Sequence, residues 1–337
     1  DNVVQFNVTL SGDEEVPAVD SAGTAQADIT VNVVTGEVTG ALTIAGITAT
    51  GAHIHDNFAG ANGGVLIALD QDAGDPSLFT APAAATLDAA GIDRLLAGAL
   101  YVNAHTAAVP SGEIRGQMLP ADFVLRFAAL EGIAAVPSVD SPASGRAAIT
   151  LNQATGALVV QAYTMGLDDA TQAHVHEAYA GNTGPVLVGL NQDATDPGRW
   201  SVEDGVLNTN GLDAFAAGRL YVNVHSPANP AGEVRGQILP DGISVTFAVM
   251  NGGQEVPTVD TNAEGLAALT LDEAASVVTI HANTTGLADA SAAHLHNAFG
   301  GDNGGVEIGL TQDGTNPEHW FAEEQSLDAA QLAALLA

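Results

Sequence analysis

Apolar and polar residues alternate along most of this chain, which is the pattern of strands that bury one face. The first such run places apolar side chains at every second position: Val4, Phe6, Val8 and Leu10. Residues 27–33 alternate in the same way, and Thr35-Gly36 then supplies a turn before a return run at 38–44. Two runs joined by a short glycine turn predict a β-hairpin.

One segment has helical spacing instead. Thr86 or Asp88 can cap its start, Gly98 ends it, and its apolar residues are Leu87, Ile92, Leu95 and Leu96. Two more strands follow at residues 100–105 and 113–118. About seven short strands and one small helix in about 120 residues predict an all-β fold, an antiparallel β-sandwich of the Ig-like, Greek-key type.

The whole pattern recurs with a period of about 120 residues. His53 and His174 lie 121 positions apart, and His174 and His294 lie 120 apart. Because this period has the size of a complete domain, it indicates tandem domains and not a solenoid. We expect three β-sandwich repeats, at residues 1–120, 121–240 and 241–337, joined by short proline-containing linkers that keep the array rigid.

The third repeat ends at Leu336-Ala337, which matches Leu96-Ala97 of the first, so its last two strands are missing. A sandwich without those strands exposes core and a strand edge. We expect that the natural chain continues past residue 337, and the alternative is that another molecule supplies the strands. The start at Asp1, without an initiator methionine, is typical of a processed mature chain.

The charge balance is strongly acidic, since seven arginines and no lysine stand against 40 acidic residues, for a net charge of -33. Such a field repels nucleic acid and anionic membranes and attracts cations. The chain has no apolar run of about 18 residues that could span a bilayer. We therefore expect a secreted or cell-surface protein with no nucleic-acid partner and no membrane span.

A His-x-His pair with an aliphatic residue in its middle occurs once per repeat. Residues i and i+2 of a strand point to the same face, so the two imidazoles of each pair stand together. In the first two repeats a later strand carries a third histidine, and the three converge if both strands share a sheet. The predicted metal ligands are His53, His55, His105, His174, His176, His225, His294 and His296.

Three imidazoles with an open position suit copper or zinc. The chain contains no cysteine, which excludes thiolate ligands and disulfides. We expect copper as the cofactor, with zinc as the alternative, and the opposing interpretation is a set of solvent-facing histidines without metal. Imidazole binds a metal only when neutral, so loading should fall below about pH 6.

Glu113 and Arg115 are two positions apart on one predicted strand, and the same pair recurs in the second repeat. Two interpretations stay open for them: a surface ion pair, or a carboxylate that orients one of the imidazoles from behind. His281 and His319 have no counterparts in the other repeats and are interpreted as ordinary surface histidines.

Taken together, these motifs resemble the chordin-type (CHRD) domain family. The resemblance rests on Glu15-Val16-Pro17, the His-x-His strand, Leu100-Tyr101-Val102-Asn103-x-His105 and Gly112-Glu113-Ile114-Arg115-Gly116-Gln117, and it covers each repeat except the missing end of the third. It implies an extracellular, mostly β domain with no settled activity. In chordin the domain accompanies cysteine-rich growth-factor-binding modules, so that function does not carry over. The His-x-His strand alone is similar to the copper strand of Cu/Zn superoxide dismutase.

Three functions remain open at this point. The first is an extracellular metal-binding structural protein, a building block of a rod, filament or surface layer that self-assembles through its chain ends. The second is a copper-dependent redox enzyme of superoxide-dismutase or oxidase type, which lacks a recognisable general acid or base here. The third is an adhesion or interaction module that binds no metal.

Overall fold

A computed structural model describes residues 2–337 of the chain. These residues fold mostly into strands, with three short α-helices at α1 (Ala89–Leu96), α2 (Thr209–Ala216) and α3 (Ala329–Leu335). The prediction of an all-β fold with one short helix in each repeat is therefore confirmed. None of the helices within residues 2–337 has the length and the hydropathy needed to cross a membrane.

The first repeat contains nine strands arranged in two antiparallel sheets. The strands are β1 (Val3–Leu10), β2 (Thr24–Asn32), β3 (Val38–Ala45), β4 (Ala49–Asp56), β5 (Gly64–Ala68), β6 (Asp70–Gln71), β7 (Leu78–Thr80), β8 (Leu100–Thr106) and β9 (Ile114–Met118). One sheet has the order β1-β2-β3-β7-β6 and the other β5-β4-β8-β9. Side chains of both sheets, such as Leu42 and Val102, share one buried core, which makes this repeat a β-sandwich.

The middle repeat follows the same order of elements with eight strands, and the third follows it with six. The middle repeat contains β10 (Phe123–Glu131), β11 (Ser144–Asn152), β12 (Ala157–Met165), β13 (Gln172–Glu177), β14 (Val186–Gln192), β15 (Arg199–Val206), β16 (Leu220–His225) and β17 (Val234–Ile238). The third contains β18 (Ile243–Asn251), β19 (Glu264–Asp272), β20 (Val277–Thr285), β21 (Ala293–Asn297), β22 (Gly305–Gln312) and β23 (His319–Ser326).

The chain divides into two compact units that do not coincide with the repeats. The first unit holds the chain up to Leu125 together with Ala148–Ala162 and Val202–Val206, and the second holds Arg126–Ala147, Tyr163–Ser201 and Leu207–Ala337. In the second unit, strands of the middle repeat follow the order β15-β14-β13-β16-β17, and those of the third follow β18-β19-β20-β23-β22-β21.

Local sequence signals explain where these elements begin and end. The hairpin between β2 and β3 turns at Gly36, whose φ of 77° lies in the left-handed region that favours glycine. Helix α1 begins after Asp88, whose side chain accepts a hydrogen bond from Gly91 N at 2.8 Å. The cap is therefore Asp88 and not Thr86. Gly98, at a φ of 76°, ends the segment.

The His-x-His strand has a different neighbourhood in the third repeat. In the first repeat β4 lies between β5 and β8, and in the second β13 lies between β14 and β16. Within residues 2–337, β21 pairs with β22 and with no strand on its other edge. Its two histidines are accordingly exposed.

Candidate metal centre

The candidate site of the first repeat lies on β4 and β8. His53 and His55 project from one face of β4, while Ile54 points to the core and is 1% exposed. In the antiparallel register, Gly51 lies opposite His105, and His55 lies opposite Tyr101. Because Gly51 is two residues before His53, the side chain of His105 falls on the histidine face, beside His53. The ring centroid of His105 is 4.8 Å from that of His53 and 5.7 Å from that of His55.

Hydrogen bonds set which ring nitrogen each histidine leaves free. The Nδ1 of His55 lies 3.1 Å from the carbonyl oxygen of Gly63, and the Nδ1 of His105 lies 3.0 Å from that of Pro110. A carbonyl only accepts, so both Nδ1 atoms carry the proton and both Nε2 atoms present a lone pair. Those Nε2 atoms and the Nδ1 of His53 are buried and have no hydrogen-bond partner among the described residues.

The second repeat builds the same arrangement from β13 and β16. His174 lies opposite Asn223 and His176 opposite Tyr221, which repeats the register of the first site. The Nδ1 atoms of His176 and His225 again face carbonyl oxygens, those of Gly184 and Pro230, at 3.0 and 3.1 Å. The site is therefore a property of the repeat and not an accident of one strand pair.

The spacing of these nitrogens fits a single small cation. In both repeats the three ligand atoms lie within 4.8 Å of one another. An ion bound to imidazole at about 2.0–2.1 Å in a tetrahedral arrangement separates its ligand nitrogens by about 3.3 Å. The Nδ1 of His174 and the Nε2 of His225 are 3.2 Å apart, close to that separation. Convergent imidazole nitrogens at this spacing are what a metal ion requires.

Burial also keeps these imidazoles neutral. Desolvation lowers the pKa of His55 to about 4, and it lowers the pKa of His53 and of His105 as well. The same cause lowers the pKa of all three histidines in the second site. Since only neutral imidazole coordinates a metal, the ligands are ready to bind well below neutral pH. The fall in loading expected near pH 6 should therefore lie at lower pH.

Neither interpretation of the Glu113–Arg115 pair was correct. Glu113 accepts hydrogen bonds from Ser21 Oγ, at 2.8 Å, and from the hydroxyl of Thr106, and it contacts no imidazole. Arg115 is fully buried and donates to backbone carbonyl oxygens and not to Glu113. Alternation on a strand placed the two side chains on one face, but the sequence alone does not show that this face is covered.

Arg115 supports the site through a stack of side chains. Its guanidinium lies 3.5 Å from the ring centroid of Tyr101, and Tyr101 stacks on His55 with centroids 4.9 Å apart. Arg115 also donates to the carbonyl oxygens of Ala61, at 2.8 Å, and Phe58, at 2.9 Å. It thereby ties the His55 ring to the loop that follows β4. The residues of this stack are visible in the sequence as parts of the Tyr-x-Asn-x-His and Arg-Gly-Gln motifs. The sequence does not show in which direction their side chains point.

A buried carboxyl group distinguishes the first site from the second. Glu15 is 4% exposed and lies beside Asn103 and Arg115. Burial raises its pKa to about 7, against the opposing effect of the Arg115 charge. The counterpart in the second repeat is Ala135, so the equivalent Arg235 is held without a carboxylate. Desolvation lowers the pKa of Arg235 to about 10.

The third repeat brings only two of its predicted ligands together. His294 and His296 lie side by side on β21, with ring centroids 5.6 Å apart. Among the described residues no third histidine joins them, because the strand that carries His105 and His225 has no counterpart there. The three-histidine arrangement thus occurs in two repeats of the described chain.

His281 and His319, interpreted above as surface histidines, are buried, at 0% and 6% exposure. The Nδ1 of His281 lies 3.1 Å from the Nε2 of His319, whose Nδ1 lies 3.1 Å from a carboxylate oxygen of Asp313. Desolvation lowers the pKa of His281 to about 3, so it is neutral at ordinary pH. The interpretation was wrong because exposure depends on what covers the sheet.

Comparison with known proteins agrees with this architecture. The model of the CHRD domain family matches the chain three times, at residues 6–118, 126–238 and 246–337. No match was found among curated proteins or among solved structures. The matches cover most of the chain and follow one another in tandem. The protein therefore belongs to the CHRD domain family and consists of tandem CHRD repeats.

Proposed function

We propose that this chain is an extracellular metal-binding structural protein in which the first two CHRD repeats each hold one metal ion. The observation that carries the proposal is the convergence of three imidazole nitrogens in each of these repeats, and in the first repeat none of the three has a hydrogen-bond partner among the described residues. In the second site two of the nitrogens face each other. Such lone pairs are costly to bury unless a cation or a proton satisfies them.

The ligand set favours Cu(II) or Zn(II). Three neutral imidazoles and no thiolate suit these borderline ions and disfavour Ca²⁺ and Mg²⁺, which prefer oxygen ligands. Copper is our first choice and zinc the alternative. The net charge of -33 raises the local concentration of any cation near the surface.

Metal content tests the proposal directly. We expect native mass spectrometry to find two ions per chain, and His55→Ala or His176→Ala to remove one each. His296→Ala is the matched control, because its exposed pair lacks a third ligand, and it should retain both ions. A chain that binds no copper or zinc, or a His55→Ala variant that keeps two ions, would contradict the proposal. Electron paramagnetic resonance distinguishes Cu(II) from Zn(II).

Redox catalysis is less well supported than a structural role for the bound metal. Superoxide is an anion, and the strongly negative chain repels it. Arg115 and Arg235 could have offset this repulsion, but both are buried and hydrogen-bonded to backbone carbonyls. We expect copper-loaded protein to dismute superoxide no faster than an equal concentration of a copper–peptide complex.

The structural role rests on the tandem repeats and on the contacts between them. In the first unit, Phe58 packs with Ala99 and with Val159 of the middle repeat in one buried cluster. Contacts of this kind between successive repeats suit a segment of a longer extracellular rod or filament. Electron microscopy of native cell-surface material, labelled with an antibody to this chain, should show particles longer than one chain, and labelled single chains alone would contradict this role.

A further inference from the structure

Two loops of this chain lie against the sheet of the repeat that follows them. We call residues 58–61, in the first unit, and residues 179–182, in the second unit, the covering loops. In the first contact an added Cβ on Gly60 would lie 2.8 Å from the Cβ of Gln161 on β12. The loop backbone therefore lies directly over this glutamine.

Under the second covering loop, His281 on β20 takes the place of the glutamine. An added Cβ on Gly181 would lie 2.9 Å from the Cβ of His281. The ring of Tyr179, the first residue of the loop, stacks on the imidazole with centroids 6.4 Å apart. His281 is 0% exposed. The second covering loop thus helps to shield a titratable side chain from water.

His281 ends a hydrogen-bonded chain of three side chains. Hydrogen bonds from Thr315 hold the pKa of the Asp313 carboxyl well below its usual range, so Asp313 is ionised. Its oxygen lies 3.1 Å from the Nδ1 of His319, which carries the proton because a carboxylate only accepts. The Nε2 of His319 therefore accepts, and the Nδ1 of His281 donates to it at 3.1 Å. The single proton of a neutral His281 is thus on Nδ1.

The Nε2 of His281 is left with a buried lone pair. It has no hydrogen-bond partner among the described residues. A carboxylate oxygen of Glu323 lies 3.3 Å away, but that side chain is 46% exposed, so water weakens its attraction for a proton at Nε2. A proton taken up there would place a positive charge in a site closed by the loop.

Other charged or titratable groups surround His281 and its cover. Glu324 accepts a hydrogen bond from the Tyr179 hydroxyl at 3.1 Å, and the guanidinium of Arg219 lies 5.9 Å from the Tyr179 ring centroid. Arg235 on β17 adds a positive charge. Burial first, and then His319 and Arg235, lower the pKa of His281 from its ordinary value of 6.5 to about 3.

Acid therefore favours the open form of the second contact. While the loop covers it, His281 excludes a second proton down to about pH 3, whereas an imidazole in water accepts one near pH 6.5. Between these values the open form binds a proton that the closed form lacks. Opening becomes more favourable as the pH falls through this window.

The first contact has an amide in the equivalent place. The Nε2 of Gln161 donates to the carboxylate of Glu203 at 3.2 Å. Glu203 and Glu323 lie 120 positions apart and are equivalent residues of successive repeats. Because an amide does not titrate, it keeps its donor at neutral and at mildly acidic pH.

We propose that His281, held by His319 and Asp313, makes the contact between the second and third repeats acid-sensitive, so that residues 179–182 are released in mildly acidic solution while residues 58–61 stay closed. The proposal does not depend on the metal sites, because neither histidine is one of the proposed ligands. It concerns how the second unit responds to pH.

Hydrogen–deuterium exchange of the full-length, metal-free chain at pH 7 and at pH 5 tests the proposal. Each rate is divided by the intrinsic rate at that pH, which gives a protection factor. Protection of residues 179–182 should fall at least about tenfold at pH 5, because one pH unit within the window changes the opening equilibrium up to about tenfold. Residues 58–61 are the internal control and should change less than about twofold.

His281→Gln assigns the effect to this side chain. The variant installs the residue found at Gln161, and its loop at residues 179–182 should keep the same protection at both pH values. Circular dichroism at pH 7 establishes that it is folded. The comparison of the two covering loops in the wild type is independent of any variant.

Three outcomes would overturn the proposal. The first is protection of residues 179–182 that does not change between pH 7 and pH 5. The second is an equal loss at residues 58–61, which would indicate general unfolding in acid. The third is a loss that persists in folded His281→Gln, which would assign it to the carboxylates nearby. Because a chelator removes metal at both pH values, loss of metal cannot produce the change.

Discussion

At the scale of single residues, the two proposed metal sites depend on how their imidazoles are oriented. The carbonyls of Gly63 and Pro110 hold the Nδ1 protons of His55 and His105 and so turn the Nε2 lone pairs inward. Behind them, Tyr101 and Arg115 form a stack that fixes the ring plane of His55. A ligand that is already oriented loses less conformational entropy when it binds, which increases affinity.

Glu15 makes a prediction about pH. Its pKa is raised from 4.5 to about 7 by burial, so between these values the folded protein keeps a proton that the unfolded chain has lost. Stability therefore falls as pH rises through this window. Glu15→Gln removes the effect, and its unfolding free energy should exceed that of the wild type by up to about 3 kcal/mol more at pH 8 than at pH 5.

Chemical denaturation of metal-free protein at the two pH values measures this difference. Glu37→Gln, which removes an exposed negative charge from the same repeat, is the control. Ala135 shows that the fold tolerates the loss of the carboxylate, since the equivalent Arg235 is buried without it. An advantage of Glu15→Gln that is the same at pH 5 and at pH 8 would contradict the prediction.

At the scale of elements, pairing of β4 with β8 creates the first site, and a loop after β4 creates the contact with the next repeat. The two are connected, because Arg115 on β9 binds the carbonyls of Phe58 and Ala61 in that loop. The register of three neighbouring strands thus positions both the ligands and the loop that follows β4.

Gly60 and Gly301 separate the two contributions to this contact. Both have positive φ, so alanine at either position costs about 1–2 kcal/mol in backbone strain. At Gly60 the new Cβ also meets Ala148 and Gln161 at 2.8 Å, whereas at Gly301 it meets open space. Gly60→Ala should therefore destabilise the protein by roughly 1–3 kcal/mol more than Gly301→Ala.

Urea denaturation, followed by the change in transition midpoint, measures this difference. Gly301→Ala serves as the matched control for the backbone term. Equal losses of stability in the two variants would mean that the loop–sheet contact contributes nothing beyond local strain.

At the scale of the whole molecule, the net charge of -33 sets the solution behaviour. Its self-repulsion opposes the compact state and is weakened by salt, because the Debye length falls from about 30 Å at 0.01 M to about 3 Å at 1 M. Raising NaCl across this range should increase the melting temperature by at least about 3 °C.

Differential scanning calorimetry of metal-free protein measures the effect of salt. Choline chloride at equal ionic strength is the control, since a similar rise shows that screening and not sodium binding is responsible. A melting temperature that does not change with either salt would contradict the prediction.

Much of this protein could be predicted from its sequence because the signals are local. Alternation of apolar residues identified the strands, Asp88 and Gly98 bounded the first helix, and the period of about 120 residues identified the tandem repeats. The His-x-His pairs were also visible, since two residues that are two apart on a strand must share a face.

The tertiary structure decided what depends on neighbours far apart in the chain. Register between β4 and β8 placed His105 beside His53, and the cover supplied by other segments buried Arg115 and His281 against expectation. The same dependence on packing explains why Phe58 and Phe299 differ in exposure. They occupy equivalent positions in their loops but are 4% and 80% exposed. A sequence determines which face a side chain takes on its own strand, whereas what lies against that face is set only when distant segments pack.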